Sequence, residues 1–328
     1  MSAVLDNLRP ETFEQHSLHS SDSVWPNTNC YLDVWIEVLS SLGLDPVPAL
    51  ASAISADFIG DQWEFLKVRL EDLETLYGIR VGEYDTWRPI LEHVEFQRRA
   101  GNLTIIEVDS FYLPDTRGVS YQLQHTKSSI VPVIVDPERE TLTYFHNEGL
   151  HSLAGEDFRM IFGPEAAHGL VPKPYVELIR LDRLTQPSAE AIWKVFSEHV
   201  ARIAPDNPME SLNAFVLSQC GVLAERDLDY FHDFGFATTR QAGLTSMLAA
   251  AYCTRLAELE PPGGGDASAD LTAAAEAFQQ ASEAAKKLQF QLARVASGRS
   301  PDLAPIMQTL AHSWAEGIAL IQKVDVHV

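Results

Sequence analysis

Trp25-Pro26-Asn27-Thr28-Asn29-Cys30-Tyr31-Leu32-Asp33-Val34-Trp35-Ile36-Glu37-Val38-Leu39 sets a cysteine directly before apolar residues at helical spacing. The run stops at Gly43, with Pro46 and Pro48 beyond, as a helix end requires. A thiol at a helix start faces unpaired N–H groups and the positive end of the dipole, which favour the thiolate. Cys30 is therefore the candidate nucleophile, against the plainer reading of a small buried hydrophobe. Asn27 and Asn29 are placed either to cap the helix or to donate to a developing oxyanion. Cys220 and Cys253 lie inside apolar helical patterns, where the structural reading wins.

Downstream, helices are expected over 63–76 and 87–99, then strands over 103–108 and 121–125. The clearest unit is Ser129-Ile130-Val131-Pro132-Val133-Ile134-Val135, a polar turn over 136–140, then Thr141-Leu142-Thr143-Tyr144-Phe145. Two apolar runs around a Pro-containing turn predict a hairpin, and Pro132 inside the first predicts an edge or a bulge. Residues 175–181 supply a last strand. From Pro187 the strand signals stop, and helices are expected over 189–203, 209–225, 237–259, 271–296 and 305–324, with a loop at 261–265. The fold class is thus α+β, with an α+β domain over 1–183, a helical domain over 184–328 and a junction near 183–187. No internal repeat is visible.

A thiolate enzyme needs an imidazole to share its proton and a third group to orient that imidazole. His125 is the best placed, where the 121–125 strand enters the hairpin. Asp136 is the obvious acid to orient it, but eleven extended residues at about 3.3 Å each put it roughly 35 Å away. A reversal at Asp136-Pro137 returns 146–150 beside 123–127 and favours Asn147; a reversal centred on Glu138 sets Asn147 opposite Ser129 instead. His146 is a further candidate for the same space, with a partly buried strand-end residue as its alternative. His125, His146 and His151 lack tight ligand spacing, so no metal site is expected. Cysteine at a helix start, histidine entering a hairpin and asparagine after its second strand is the papain-type order.

Composition bounds the partners. The chain has 328 residues, 46% of them hydrophobic and 21% charged, enough for a substantial core. A net charge of −22 argues against nucleic acid, because phosphate binding needs clustered Lys and Arg. No apolar stretch approaches the roughly 18 residues needed to span a bilayer, and Met1 to Ser23 lacks the layout of a signal peptide. Three cysteines do not make a disulfide framework. A cytoplasmic protein without a membrane partner is expected. Its Ala-rich helices suit either a homodimer face or packing within one chain.

Several stretches carry a resemblance. Trp25 to Tyr31, Asp61-Gln62-Trp63-Glu64-Phe65, Glu107 to Thr116, His125-Thr126-Lys127, Tyr144 to Gly149 and Phe231 to Gln241 resemble an uncharacterised bacterial family encoded near amino-acid:carrier-protein ligases. The likeness covers roughly 15 to 325. More distantly, the first half is similar to the butirosin-type papain-like acyltransferases. These move an aminoacyl group from a carrier protein's phosphopantetheine thiol to an amine. The resemblance implies a papain-like domain in which Cys30 and His125 are catalytic. The family's third member is usually Asp, where this chain offers Asn147. It further implies an aminoacylated carrier protein and an amine acceptor as partners, no bound cofactor, and phosphopantetheine only as part of the donor. Asp109 and Asp115, in a Tyr- and Pro-rich loop, are candidates for the substrate's amino group or are solvated turn residues. Gln62 and Arg240 are further substrate-binding candidates, although Arg240 and Gln241 read more readily as a structural hydrogen-bonded pair. The rival readings are a cysteine hydrolase with the same triad and a non-enzymatic carrier-protein-binding module.

Overall fold

The computed structural model describes residues 5–163, 175–262, 264 and 267–324. Among them, helix α1 spans Cys30–Ser41, as its apolar run predicts. Asn29, with extended backbone (φ −146°, ψ 156°), caps it by accepting from the Leu32 N–H at 2.9 Å. Gly43, at φ +73°, takes the left-handed conformation that ends it. Every residue from Tyr31 to Leu39 is buried, Asp33 and Glu37 included.

His19 makes that burial tolerable. Its Nε2 lies 3.1 Å from Asp33 and its Nδ1 2.5 Å from Glu37. Thr28 donates to Asp33 through its N–H and hydroxyl, and the His16 N–H donates to Glu37. Burial opposes a charged His19 ring, but the hydrogen bonds and charges of Asp33 and Glu37 outweigh it and raise the pKa to about 9. A raised folded pKa gives a contribution that is complete below the ordinary value of 6.5 and is lost as pH climbs through 9. Wild-type melting temperature should therefore fall more steeply between pH 6.5 and 9 than that of His19→Gln. Parallel curves would exclude this clamp.

The strands are β1 (Arg80–Glu83), β2 (Leu103–Asp109), β3 (Lys127–Asp136), β4 (Thr141–His146), β5 (Gly149–Ala154) and β6 (Val176–Arg180), accompanied by α2 (Leu70–Tyr77), α3 (Ile90–Arg99) and α4 (Glu156–Phe162). The strands form one antiparallel sheet in the order β1-β6-β2-β3-β4-β5. Helix α1 packs on β3 and β4, and α3 on β2 and β3. Ile106, Val108, Ile130, Leu142 and Tyr144 from the sheet meet Val94 of α3 and Phe158 and Phe162 of α4 in one core. The β3–β4 hairpin forms as expected, and the register shifts between Pro132 and Ile134, so the proline sits at a bulge inside the sheet.

Three expected elements change. Residues 121–125 make no strand: Gln122 has φ +55°, Leu123 is exposed, and the Leu123 and Gln124 N–H groups both bond back to Ser120. The helix expected over 63–76 begins only at Leu70, because the 57–64 backbone is committed to itself and to Ala237, with Phe58 bridged to Trp63. The hairpin pairs Asp136 with Thr141, so its reversal is centred on Glu138-Arg139 rather than on Asp136-Pro137.

The division into units also differs from the expected single junction. One compact unit comprises Met1–Ser21, Asn27–Pro46 and Arg69–Pro187; the other comprises Asp22–Pro26, Val47–Val68 and Ser188–Val328. The second holds α5 (Ala189–Val200), α6 (Pro208–Glu225), α7 (Leu228–Gly235), a π-helical turn (Phe236–Arg240), α8 (Gln241–Leu256), α9 (Ser268–Ala296) and α10 (Ala304–Ile321). The 29-residue α9 packs along α8 and α10, where alanines and Gly317 allow close approach. A Cβ at Gly317 would sit 2.7 Å from the Phe278 ring. Segments from the first half also belong to this unit. The 3-10 helix Val47–Ser55 packs on α8 and α5. The Trp25 indole donates to Ser282 at 3.1 Å and fills the space a Cβ on Gly243 would need. The protein is mixed α+β with a helical C-terminal region. Gly263 and Gly265 of the expected 261–265 loop lie outside the described residues. Among the described residues, no helix is long and apolar enough to cross a membrane.

Candidate active site

Cys30 is the first residue of α1 and is partly buried. The Ser128 hydroxyl, the Ser129 backbone and the Cys30 backbone N–H lie against the sulfur and would hydrogen-bond it as a thiolate. These bonds favour the thiolate, but burial outweighs them, the Asp33 charge adds to burial, and the thiol's pKa is raised. The expected thiolate stabilised by the helix start is thus corrected: dipole and donors act within one turn, whereas desolvation acts on the whole charge. Burial likewise raises Cys220, and it pushes Cys253 to about 12.

Behind Ser128 lies a line of polar groups. The Ser128 Oγ is 2.6 Å from His146 Nε2, and His146 Nδ1 is 2.5 Å from Asp115 Oδ2. The other oxygen of Asp115 accepts from the Tyr144 hydroxyl. Ser128 and His146 are buried, and the Asp115 side chain is 7% exposed. Burial opposes the Asp115 charge, but His146, His151 and Tyr144 together hold its carboxyl below the usual range. Strand geometry places these groups. In Lys127-Ser128-Ser129-Ile130 the side chains alternate, so Ser128 and Ile130 face inward while Lys127 faces solvent. His146 ends β4, and Asp115 sits in the 3-10 turn Pro114–Thr116.

His125 precedes β3 and belongs to a second pair. Its Nδ1 is 2.6 Å from Asp109 Oδ2, and its ring stacks on Phe111 with centroids 4.3 Å apart and planes 9° from parallel. Asp109 is buried while the His125 side chain is 53% exposed. The ring is thus held by Asp109 and by Phe111.

A DUF1839 N-terminal domain matches residues 14–181, and a DUF1839 C-terminal domain matches 185–323. The chain belongs to the DUF1839 family. A search of curated proteins found no match. The residues around the thiol, from Cys30 to His146, all fall in the DUF1839 N-terminal domain.

Within that domain the expected triad is rearranged. Asn147 does not orient His125: it occupies the β4–β5 turn at φ +48°, with its Nδ2 3.4 Å from His146 Nδ1. Asp136 instead accepts from the Arg139 N–H in the hairpin turn at the far end of β3. His125 is oriented by Asp109, and His146, expected at most as an orienter, is itself oriented by Asp115. Asp109, the last residue of β2, and Asp115, in the turn Pro114–Thr116, are each paired with an imidazole rather than free to hold a substrate amino group or to stand as solvated turn residues. Asn29 is a helix cap through its side-chain oxygen, and Asn27 donates to Glu148. Gln62 and Arg240 belong to the helical unit. The Gln62 carbonyl accepts from the Ile59 N–H, and Arg240, in the DUF1839 C-terminal domain, lays its guanidinium over the Trp25 and Phe236 rings. Sequence reasoning passed over Ser128. The available signal was a serine at an inward position of an otherwise apolar strand.

Proposed function

We propose that this chain is a cysteine-nucleophile acyltransferase of papain-like type, moving an acyl group, in the aminoacyl class, from a carrier-protein phosphopantetheine thioester to an amine in the cytoplasm. The observation that carries this reading is the Cys30 thiol, set at the start of α1 and connected through Ser128 to an imidazole–carboxylate pair. Such a connection lets a thiol act as a nucleophile without being ionised beforehand.

In the first half-reaction the sulfur bonds to the thioester carbonyl carbon and its proton passes to the base. In this reading the backbone N–H groups near the sulfur would donate to the developing tetrahedral oxyanion. Collapse breaks the carbonyl–sulfur bond to the carrier, whose thiolate takes the proton. In the second half-reaction an amine attacks the Cys30 thioester, gives up a proton and releases Cys30 as a thiol.

Alanyl-N-acetylcysteamine, a minimal stand-in for the phosphopantetheine thioester, tests the reading. Intact-mass spectrometry should find one alanyl group on Cys30, discharged to an amide when a primary amine is added. Discharge to free alanine regardless of amine would make the chain a hydrolase. No adduct on Cys30 with this or other acyl thioesters would leave the carrier-binding reading standing.

A further inference from the structure

We infer that Ser128 is a catalytic residue that carries the thiol proton of Cys30 to His146, so that the thiol's base is the His146–Asp115 pair and not His125. This rests on the reading of Cys30 as a nucleophile and adds to it the identity and route of its base.

Hydrogen-bond bookkeeping directs the chain. Asp115, as a carboxylate, only accepts, so the His146 Nδ1 that faces it at 2.5 Å carries the hydrogen. Nε2 is then bare and accepts from the Ser128 hydroxyl at 2.6 Å. With its hydrogen given to His146, the Ser128 oxygen has lone pairs left to accept from the Cys30 S–H that it touches. Every group points its proton the same way, from sulfur toward imidazole. The same inventory commits His125 to a carboxylate partner, Asp109, and an aromatic stacking partner, Phe111.

Burial makes the route matter. A thiol at rest must lose its proton while the sulfur–carbon bond forms, so the acceptor has to be in place at that instant. Ser128 and His146 are 8% and 1% exposed, which leaves water little opportunity to replace either. As the bond forms, the S–H proton moves to the Ser128 oxygen and the Ser128 proton moves to His146 Nε2. Ser128 ends neutral, His146 becomes an imidazolium, and Asp115 remains a carboxylate that stabilises it. Return of the proton by the same path protonates the departing thiolate.

Single-turnover acylation of Cys30 by alanyl-N-acetylcysteamine, followed by quenched-flow mass spectrometry across pH 5.5–9.5, tests this in wild type, Ser128→Ala, Ser128→Thr and His125→Ala. Ser128→Ala should slow acylation by roughly 100-fold or more. Its rate should rise in proportion to hydroxide, as for an unassisted thiol, whereas wild type, which carries its own proton acceptor, should depend on pH less steeply. Ser128→Thr, which keeps the hydroxyl on a residue suited to a strand, should stay within about tenfold of wild type. Wild-type rates in Ser128→Ala would overturn the inference, as would a larger loss in His125→Ala than in Ser128→Ala. Ser128→Thr as slow as a Ser128→Ala variant with an intact fold would also overturn it. A wild-type protein that is never acylated would remove the nucleophile reading itself, an outcome visible before any variant is compared.

Discussion

Cys30→Ala should abolish the acyl adduct and lower amine acylation on the order of 10⁴- to 10⁶-fold, because no other group would form the covalent intermediate. The fold should survive. Cys30 is the first residue of α1, the cap bond to Leu32 comes from Asn29, and the helix is anchored by the buried run from Tyr31 to Leu39. Removing one partly buried sulfur should cost about 1 kcal/mol. The informative measurement pairs intact-mass detection of the adduct with a thermal melt of the same sample. Loss of the adduct with a near-wild-type melt identifies a nucleophile. Transfer persisting at more than a few per cent in Cys30→Ala would assign the chemistry elsewhere and reduce Cys30 to a packing residue.

Asp115→Asn should reduce acylation by about 10²- to 10⁴-fold while leaving Cys30, Ser128 and His146 in the chain. The carboxylate accepts from His146 Nδ1 and fixes the tautomer with bare Nε2. An asparagine amide that donates to Nδ1 would place the imidazole hydrogen on Nε2, facing Ser128, and close the route. Even with its oxygen toward the ring, the neutral amide would not stabilise an imidazolium. The same variant has a pH signature. Because the Asp115 carboxyl is held below its ordinary value of 3.8, its contribution to stability is present above that value and is lost as the pH falls through the folded pKa. Wild type should therefore lose stability on acidification below about pH 4 more steeply than Asp115→Asn. An Asn variant with wild-type acylation would show that His146 needs no anionic partner and that Asp115 serves only to tie Tyr144 to the turn.

The candidate site was legible in unequal parts. Cys30 could be found because helix starts announce themselves: asparagine caps, then an apolar run at 3.6-residue spacing. The β3–β4 hairpin was equally plain from two apolar runs around a proline-bearing turn. The orienters were not. Choosing Asn147 for His125 depended on where the hairpin reverses, and a shift of that centre from Asp136-Pro137 to Glu138-Arg139 changes every cross-strand neighbour. The assumed strand at 121–125 compounded the error. Those residues turn back on themselves, which leaves His125 to stack on Phe111 and bond to Asp109 sixteen residues earlier. His146 was in view, but its partner Asp115 is 31 residues away, and no local pattern connects them.

Alone, the sequence determined the order of mixed and helical halves, the helix that begins at Cys30, the strands at 103–108 and 129–145, and the long Ala-rich helix near the C-terminus. All of these follow from periodicity and capping, which act over a few residues. Only the tertiary structure decided that Val47–Val68 joins the helical unit, that His19 pairs with two buried carboxylates of α1, and that Ser128, His146 and Asp115 line up behind the thiol. It also decided that burial raises the pKa of the Cys30 thiol, since the helix start acts locally whereas desolvation depends on everything packed around the sulfur. Strand alternation can say that Ser128 points inward. What it meets there depends on α1 and β4 crossing the same stretch of sheet, and that crossing is a property of the assembled unit.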